Sequence, residues 1–450
     1  MKKMQSKNSR RKFIKNTALA TSSISVGLVG GVSAKSYSRI LGANDRVTVA
    51  QIGCKRRAGA MKSAFKAIND KLNIKYVCDI YKPQMEKFGA EIKEATGQKP
   101  QQEGDIRKLL EDKEIDAIFN ATPDHWHAPG TWLALEAGKN VYVEKPCSHN
   151  PWEGELLVEF QKKYGKVVQM GNQQRSAQES QEIIAEIHNG AIGEAYKAVA
   201  FYNNSRDSIG KAKAVPVPEG FDWELFQGPA PRAEYLDVYF DYNWHWFWPY
   251  GTGETGNNSV HEIDIARWAL QLDFPDTVSV DAGKYHFKDD SWVMYDTMDA
   301  QFKFGDKTIV WDGKCRNNYP TYGVDRGTII YGSEGSVFVD RNGYKMYDRG
   351  GKMVKEANAA EKSSTTGLGG GGSATNVHVN NFIETIKGTT KQNSPIDEGA
   401  KSTLLGHLAN IAYRADSVIK CDPKNGQLLD KKLMKTYWKR QYEPGWEPKI

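Results

Sequence analysis

Arg46-Val47-Thr48-Val49-Ala50-Gln51-Ile52-Gly53, and the run Leu72-Asn73-Ile74-Lys75-Tyr76-Val77-Cys78-Asp79 that ends 26 positions after that glycine, decide the fold class. Both are short and apolar, and a turn residue or an acid closes each, as in buried strands. Helical spacing at 60–69 separates them. Beyond Asp79 the alternation continues with a helix at 82–96, a strand at 115–120, a helix at 129–137 and a strand at 140–143. Strands and helices alternating at this interval predict an α/β chain that opens with a parallel, doubly wound sheet over 42–170.

Gly53 at the end of the first strand and Asp79 at the end of the second match what a dinucleotide fold requires, a tight turn and a carboxylate for the ribose hydroxyls. An acid there repels a 2′-phosphate, so NAD is expected over NADP. The turn Gly53-Cys54-Lys55-Arg56-Arg57-Ala58-Gly59 keeps only the first glycine of G-x-G-x-x-G and places Lys55 where the backbone would approach a pyrophosphate. Its three cations either meet the pyrophosphate with their side chains or form a solvated loop.

After Gly171 the pattern changes. Strand-like stretches at 195–202, 277–282, 298–304, 308–311, 327–331 and 336–340 follow one another with few helices, which predicts a second α+β domain over 171–450 with an open, largely antiparallel sheet. Closing helices are expected at 377–387 and 400–418, and the glycine-rich 367–373 reads as a flexible loop.

Two further elements stand at the carboxyl ends of predicted parallel strands, where ligands bind in this architecture. They are Ala121-Thr122-Pro123-Asp124-His125-Trp126-His127 and Val141-Tyr142-Val143-Glu144-Lys145-Pro146. Together with Gly171-Asn172-Gln173-Gln174-Arg175 and the turn from Gly251 to Asp264, they make the chain resemble the Gfo/Idh/MocA family of sugar and cyclitol oxidoreductases over essentially its whole mature length. The resemblance implies an N-terminal Rossmann domain holding NAD through Gly53, Cys54, Asp79, Ile80, Thr122, Pro123, His127, Glu144, Lys145 and Gln173. It implies that Lys145 lies near the nicotinamide and the reacting hydroxyl, and that His261 acts as acid or base. Asn257 stands where the family commonly has an aspartate; an amide can orient a hydroxyl but cannot take its proton. Proton transfer is then expected of His261, Lys145, or a neighbouring acid such as Glu262 or Asp264. Arg175, Trp244, His245 and Asp264 are expected at the substrate. The aromatic run from Tyr235 to Tyr250 offers rings for sugar C–H faces, with a core or interface strip as the alternative. His125 and His127 suggest a metal only in isolation, since no third ligand has suitable spacing, and none is expected.

The 450 residues, 39% hydrophobic and 26% charged, suit two or three domains and exclude collagen-like, disordered and disulfide-scaffold classes. The formal charge of +6 suggests a nucleic-acid partner until it is located. Residues 1–34 carry seven basic residues and no acid, leaving 54 basic against 55 acidic in the remainder. No nucleic-acid partner is therefore expected. Ser9-Arg10-Arg11-Lys12-Phe13-Ile14-Lys15, an apolar small-residue stretch and Val32-Ser33-Ala34 resemble a twin-arginine export signal and its cleavage site. A periplasmic or otherwise exported enzyme with no stable membrane anchor after cleavage is expected. Five cysteines without C-x-x-C spacing argue against a disulfide framework.

The expected function is hydride transfer between tightly bound NAD and a secondary hydroxyl of a sugar or glycoside, plausibly at ring carbon 3, in a homo-oligomer implied by the resemblance. Two alternatives remain open: an NAD-recycling glycosidase working by oxidation, elimination, hydration and reduction, and a sugar-binding relative without redox chemistry.

Overall fold

The computed structural model describes residues 46–359 and 373–448. The expected export signal at 1–34 and the glycines at 367–372 lie outside the described residues. Strands β1 (Val47–Ile52), β2 (Leu72–Cys78), β3 (Gln101–Glu103), β4 (Ala117–Asn120), β5 (Asn140–Val143) and β6 (Val168–Met170) form a wholly parallel sheet in the order β3-β2-β1-β4-β5-β6. Helices α1 (Arg56–Ala67), α2 (Lys82–Thr96), α3 (Ile106–Leu109), α4 (Asp124–Glu136) and α5 (Pro151–Tyr164) connect these strands. The order reverses between β1 and β4, so their carboxyl ends diverge and leave a crevice.

Helix α4 begins at Asp124, five residues before the proline at which the sequence suggests a start. Proline has no N–H to donate to the carbonyl four residues back, here that of His125. Arg440 supplies the missing donor, its guanidinium lying 2.9 Å from the His125 oxygen. A proline that reads as a first helical residue is thus accommodated inside the helix by a side chain from the far end of the chain.

The second sheet holds ten strands. Nine lie in the order β15-β14-β13-β12-β7-β10-β9-β8-β16, and β11 pairs with β7 off this path. They are β7 (Ala195–Ser205), β8 (Thr277–Gly283), β9 (Thr297–Phe304), β10 (Lys307–Lys314), β11 (Arg316–Asn317), β12 (Arg326–Gly332), β13 (Gly335–Asp340), β14 (Gly343–Asp348), β15 (Met353–Asn358) and β16 (Ile419–Lys420). All pairings are antiparallel except β7 with β10. Strand β9 shows why one face is covered: Met298, Ala300, Phe302 and Phe304 alternate inward with polar residues outward. They pack on Ile263, Ala266 and Leu270 of α8 (Val260–Leu270) and on Leu405, Leu408 and Ala409 of α10 (Ile396–Ala415). Helices α6 (Gln178–His188), α7 (Trp223–Gln227) and α11 (Lys431–Tyr437) complete this half.

Helix α9 (Ser373–Ile386) crosses back to the first sheet. Its Val379, Phe382 and Ile383 are fully buried among Val49, Phe65, Phe119 and Tyr142, with the rings of Phe119 and Phe382 5.5 Å apart. The nucleotide-binding half is thus finished by a helix from the far end of the chain.

Candidate functional site

A cavity of about 310 Å³ lies at the crevice, lined from one side by the ends of β1, β2, β4 and β5 and from the other by β7, β12 and the tip of the β13–β14 hairpin. Gly53 begins it. Its φ of +80° is a left-handed conformation, and a Cβ there would stand 2.4 Å from the Ala121 carbonyl oxygen, so the crossing of the β1 and β4 turns requires glycine. The amides of Cys54 and Tyr81 donate to the two oxygens of Asp79 at 2.7 and 2.9 Å, fixing the carboxylate at the rim. Burial pushes its pKa up, while those amides and Lys55 oppose the shift. The first turn of α1 has neither an acid nor a side-chain cap, so its N–H groups remain open to an anion. Asp79, the Gly53 cradle and this helix end fit a dinucleotide.

A strap from the second half covers the same end. Lys82 N–H donates to Gly220 and Asp222 N–H to Ile80, at 2.9 and 3.0 Å. The rings of Phe221 and Phe240 pack edge-on against Tyr81. Asp241 pairs with Lys55 at 3.2 Å and with Arg56 through both oxygens.

At the opposite end the Lys145 amine donates to the Asn257 backbone carbonyl and, at 3.2 Å, to the Asn257 side-chain oxygen. Asn257 lies in a π-helical turn over 255–259 ahead of α8, and its amide donates to the Tyr242 hydroxyl at 2.8 Å. Both partners fix the orientation of the amide. Burial lowers Lys145 to about 8, and Asp124 and Glu144 resist the shift while Arg341 and Arg326 reinforce it. His261, in the same cavity, is held well below its ordinary pKa by burial, then by Arg341, Lys145 and Arg326, and is neutral. Glu144 takes a 2.7 Å bond from Arg57 and a 3.2 Å bond from Gln173. Gly171 permits this, since a Cβ there would lie 2.8 Å from the Glu144 carboxylate.

Of the residues expected at the cofactor, Gly53, Asp79, Ile80, Thr122, Pro123, His127, Glu144, Lys145 and Gln173 line the cavity. Both His127 nitrogens face carbonyls, those of Pro146 and Thr122 at 2.6 and 2.7 Å, so the ring braces the two loops against each other. The Cys54 thiol is buried beneath the turn, 3.5 Å from the Cys78 carbonyl, so the residue meets the site through its backbone, whose amide holds Asp79. Trp244 and His245 line the cavity, their rings stacked 3.6 Å apart. The rest of the aromatic run divides: Phe240 and Tyr242 also face the cavity, whereas Tyr239, Trp246, Phe247 and Tyr250 are core.

Arg175 and Asp264, expected at the substrate, lie outside the cavity. They are consumed by each other in a buried two-point ion pair at 2.7 and 2.8 Å, with Ser402 donating to Asp264 at 2.6 Å. Glu262 is likewise no proton acceptor, because Arg326 holds both its oxygens at 2.8 and 2.9 Å. Sequence reasoning passed over Asp124, Tyr202, Asn204, Arg206, Arg326 and Arg341, all of which line the cavity. Asp124 had a visible signal, an acid at the end of a parallel strand. It accepts from the Thr252 amide and hydroxyl at 3.1 and 2.5 Å. The others come from strands whose meeting no local pattern announces. Among the described residues no cluster of His, Cys, Asp or Glu could hold a metal, and no helix is long and apolar enough to cross a membrane.

Comparison with known proteins places this geometry. The chain is 27% identical over 255 residues to a glycosyl hydrolase family 109 protein of Saccharopolyspora erythraea, covering 51% of this chain and 55% of that protein. It is 26% identical over 152 residues to the D-glucoside 3-dehydrogenase of Escherichia coli, covering 34% and 42%. The chain spans about half the length of the curated relatives it matches. The WlbA dehydrogenase of Bordetella pertussis, solved with NADH and UDP-GlcNAcA, superposes with a TM-score of 0.62 at 17% identity, over 84% of this chain and 99% of that one. Residues 47–172 match the oxidoreductase family model described as an NAD-binding Rossmann fold, and residues 195–353 match the model of the same family's C-terminal alpha/beta domain. With both halves matched and a cradle that fits the dinucleotide, the chain belongs to the Gfo/Idh/MocA oxidoreductase family, and NAD is the cofactor of its Rossmann domain.

Proposed function

We propose that this protein is an exported NAD-dependent oxidoreductase that moves hydride between tightly held NAD and a secondary hydroxyl of a sugar or glycoside, with ring carbon 3 as the reacting position. The observation that carries the reading is a lysine amine drawn down to about 8 and a neutral histidine in one cavity with Gly53 and Asp79. When bound, the nicotinamide supplies the hydride acceptor or donor. Lys145 handles the proton: an amine near 8 exists in both forms around neutral pH, so it takes the hydroxyl proton on oxidation and returns it on reduction. His261, kept neutral, orients that hydroxyl through a ring nitrogen. Asn257 fixes the amine, while Asp124 and Glu144 offset the charge it carries once protonated.

Similarity to the D-glucoside 3-dehydrogenase supports a glycoside and the third ring carbon. The strap from 220–222 to Asp241 supports retention of the cofactor. Ser9-Arg10-Arg11-Lys12-Phe13-Ile14-Lys15 supports export by the twin-arginine route, and outside the cytoplasm a retained cofactor must be regenerated in place by a second sugar or another electron acceptor. A homo-oligomer is part of this reading, supported by the exposed Tyr196, Tyr319 and Tyr322 of the second half. The similarity to the family 109 hydrolase favours a second reading, in which oxidation is transient and the aglycone is eliminated before the cofactor is re-oxidised.

The test is to denature the purified protein, measure NAD in the supernatant, and incubate native protein with a panel of glycosides. Stoichiometric NAD and an accumulating keto-sugar are expected. Released aglycone without a keto-sugar replaces the first reading with the second; absence of NAD overturns tight retention, and a failure of added NAD to support turnover then leaves a sugar-binding relative. A mature N-terminus immediately after Ala34 on protein recovered outside the cytoplasm checks export.

A further inference from the structure

Apart from Lys145, which Asn257 holds, the cations around the cavity are matched with acids, except one. Arg57 pairs with Glu144, Arg206 with Glu254 at 2.6 Å, Arg326 with Glu262, and Lys55 and Arg56 share Asp241. Arg341, at the tip of the β13–β14 hairpin, lines the same cavity, yet its guanidinium makes no hydrogen bond or ion pair with any described residue. Glu262, the carboxylate that acts on it, already has both oxygens on Arg326. Arg341 is half-buried in the cavity wall, and an unpaired guanidinium placed there is a ready partner for an anionic group on a ligand. Its pKa is drawn down to about 9 by this partial burial and then by the neighbouring Arg326.

Arg341 stands at the reacting end. It is the foremost charge acting on His261 and it also acts on Lys145, whereas the cations at the start of α1, where a pyrophosphate fits, have their own acid. We infer that the substrate is an acidic saccharide, and that Arg341 receives its carboxylate or ester anion while Lys145 and His261 engage the reacting hydroxyl. The planar fork of a guanidinium accepts either oxyanion in two-point geometry, so a uronic acid and a sugar phosphate share the required chemistry. Asn204 and Tyr202, on the β7 wall of the same cavity, leave room for neutral hydroxyls beside that anchor. This inference rests on the oxidoreductase reading above and specifies its substrate.

The test uses the full chain with its retained NAD and an added redox dye as terminal electron acceptor, and follows dye reduction with glucose, glucuronate and glucose 6-phosphate, alone and as methyl glycosides. At least one acidic sugar is expected to exceed its neutral counterpart in kcat/KM by about tenfold or more, since a hydrogen-bonded charge pair has that worth. Which acid wins distinguishes carboxylate from phosphate. Arg341→Gln is expected to collapse the acidic-to-neutral ratio by a similar factor, chiefly through KM, and Arg341→Lys to restore part of it. Equal turnover of neutral and acidic sugars by the unaltered protein overturns the inference while leaving the oxidoreductase reading intact, and does so even if the variants do not fold. No reduction with any sugar overturns both.

Discussion

The two ends of the cavity are built from the same kind of contact in opposite surroundings. At the rim, Lys55, Arg56 and Asp241 are 36%, 41% and 45% exposed, so their attraction is screened and contributes no more than about 1 kcal/mol. At the floor, Arg326 and Glu262 are each 3% exposed, and Arg57 and Arg206 hold acids that are 7% and 5% exposed. There, removing one partner strands a charge at a cost of about 3–5 kcal/mol. The rim can part and re-form, as suits a cofactor entrance, whereas the floor fixes the surroundings of Lys145 and His261, the groups proposed to handle the proton.

The sharpest way to break this contrast is at Lys145. Lys145→Ala should lower turnover by about a hundred- to ten-thousandfold while the NAD recovered on denaturation stays stoichiometric. An unaltered rate would move the proton chemistry away from the floor. Next in size is Arg175→Met, which leaves Asp264 buried beside Ser402 without its cation. Thermal unfolding should reveal a loss of about 3–5 kcal/mol, with KM unchanged in the protein that remains folded; a raised KM and an unchanged melting curve would return Arg175 to the substrate.

Asn257→Asp sharpens the comparison through pH. A carboxylate beside the Lys145 amine favours its ammonium form, so the pKa rises from about 8. The neutral amine is the proposed proton acceptor in oxidation, so oxidation should climb with pH through about 8 in the parent enzyme and at higher pH in the variant. A limb that stays in place would assign the proton to another group. Asp241→Asn should produce the smallest change, cofactor loss on dilution up to about fivefold faster, with the parent moving toward the variant as salt is added. A much larger loss would make the rim part of the floor.

Much of the nucleotide half was legible because its determinants are local. Gly53, Asp79, Thr122 and Lys145 each follow a strand readable from its own residues, and the parallel sheet follows from the alternation, although the three-residue strands β3 and β6 were too short to read. The substrate half was legible as strands but not as a site. Arg175 and Asp264 fall within motifs that border the cavity, yet long-range geometry turns them onto each other. Arg326 sits on β12 and Arg341 in the β13–β14 turn with nothing local to mark them, and the role of each depends on which acids its neighbours have already taken. Hairpin β14–β15 was missed because half of its residues are exposed and carry no strong alternation.

The placement of α9 bears on how the protein is made. Phe382 seals the apolar face formed by Phe65, Phe119 and Tyr142, so that face stays open to water until the ribosome has synthesised the second half of the chain. The nucleotide-binding module therefore cannot mature as an early, self-contained unit during translation. Its assembly awaits a near-complete polypeptide and joins contacts at opposite ends of the sequence, an arrangement that slows folding.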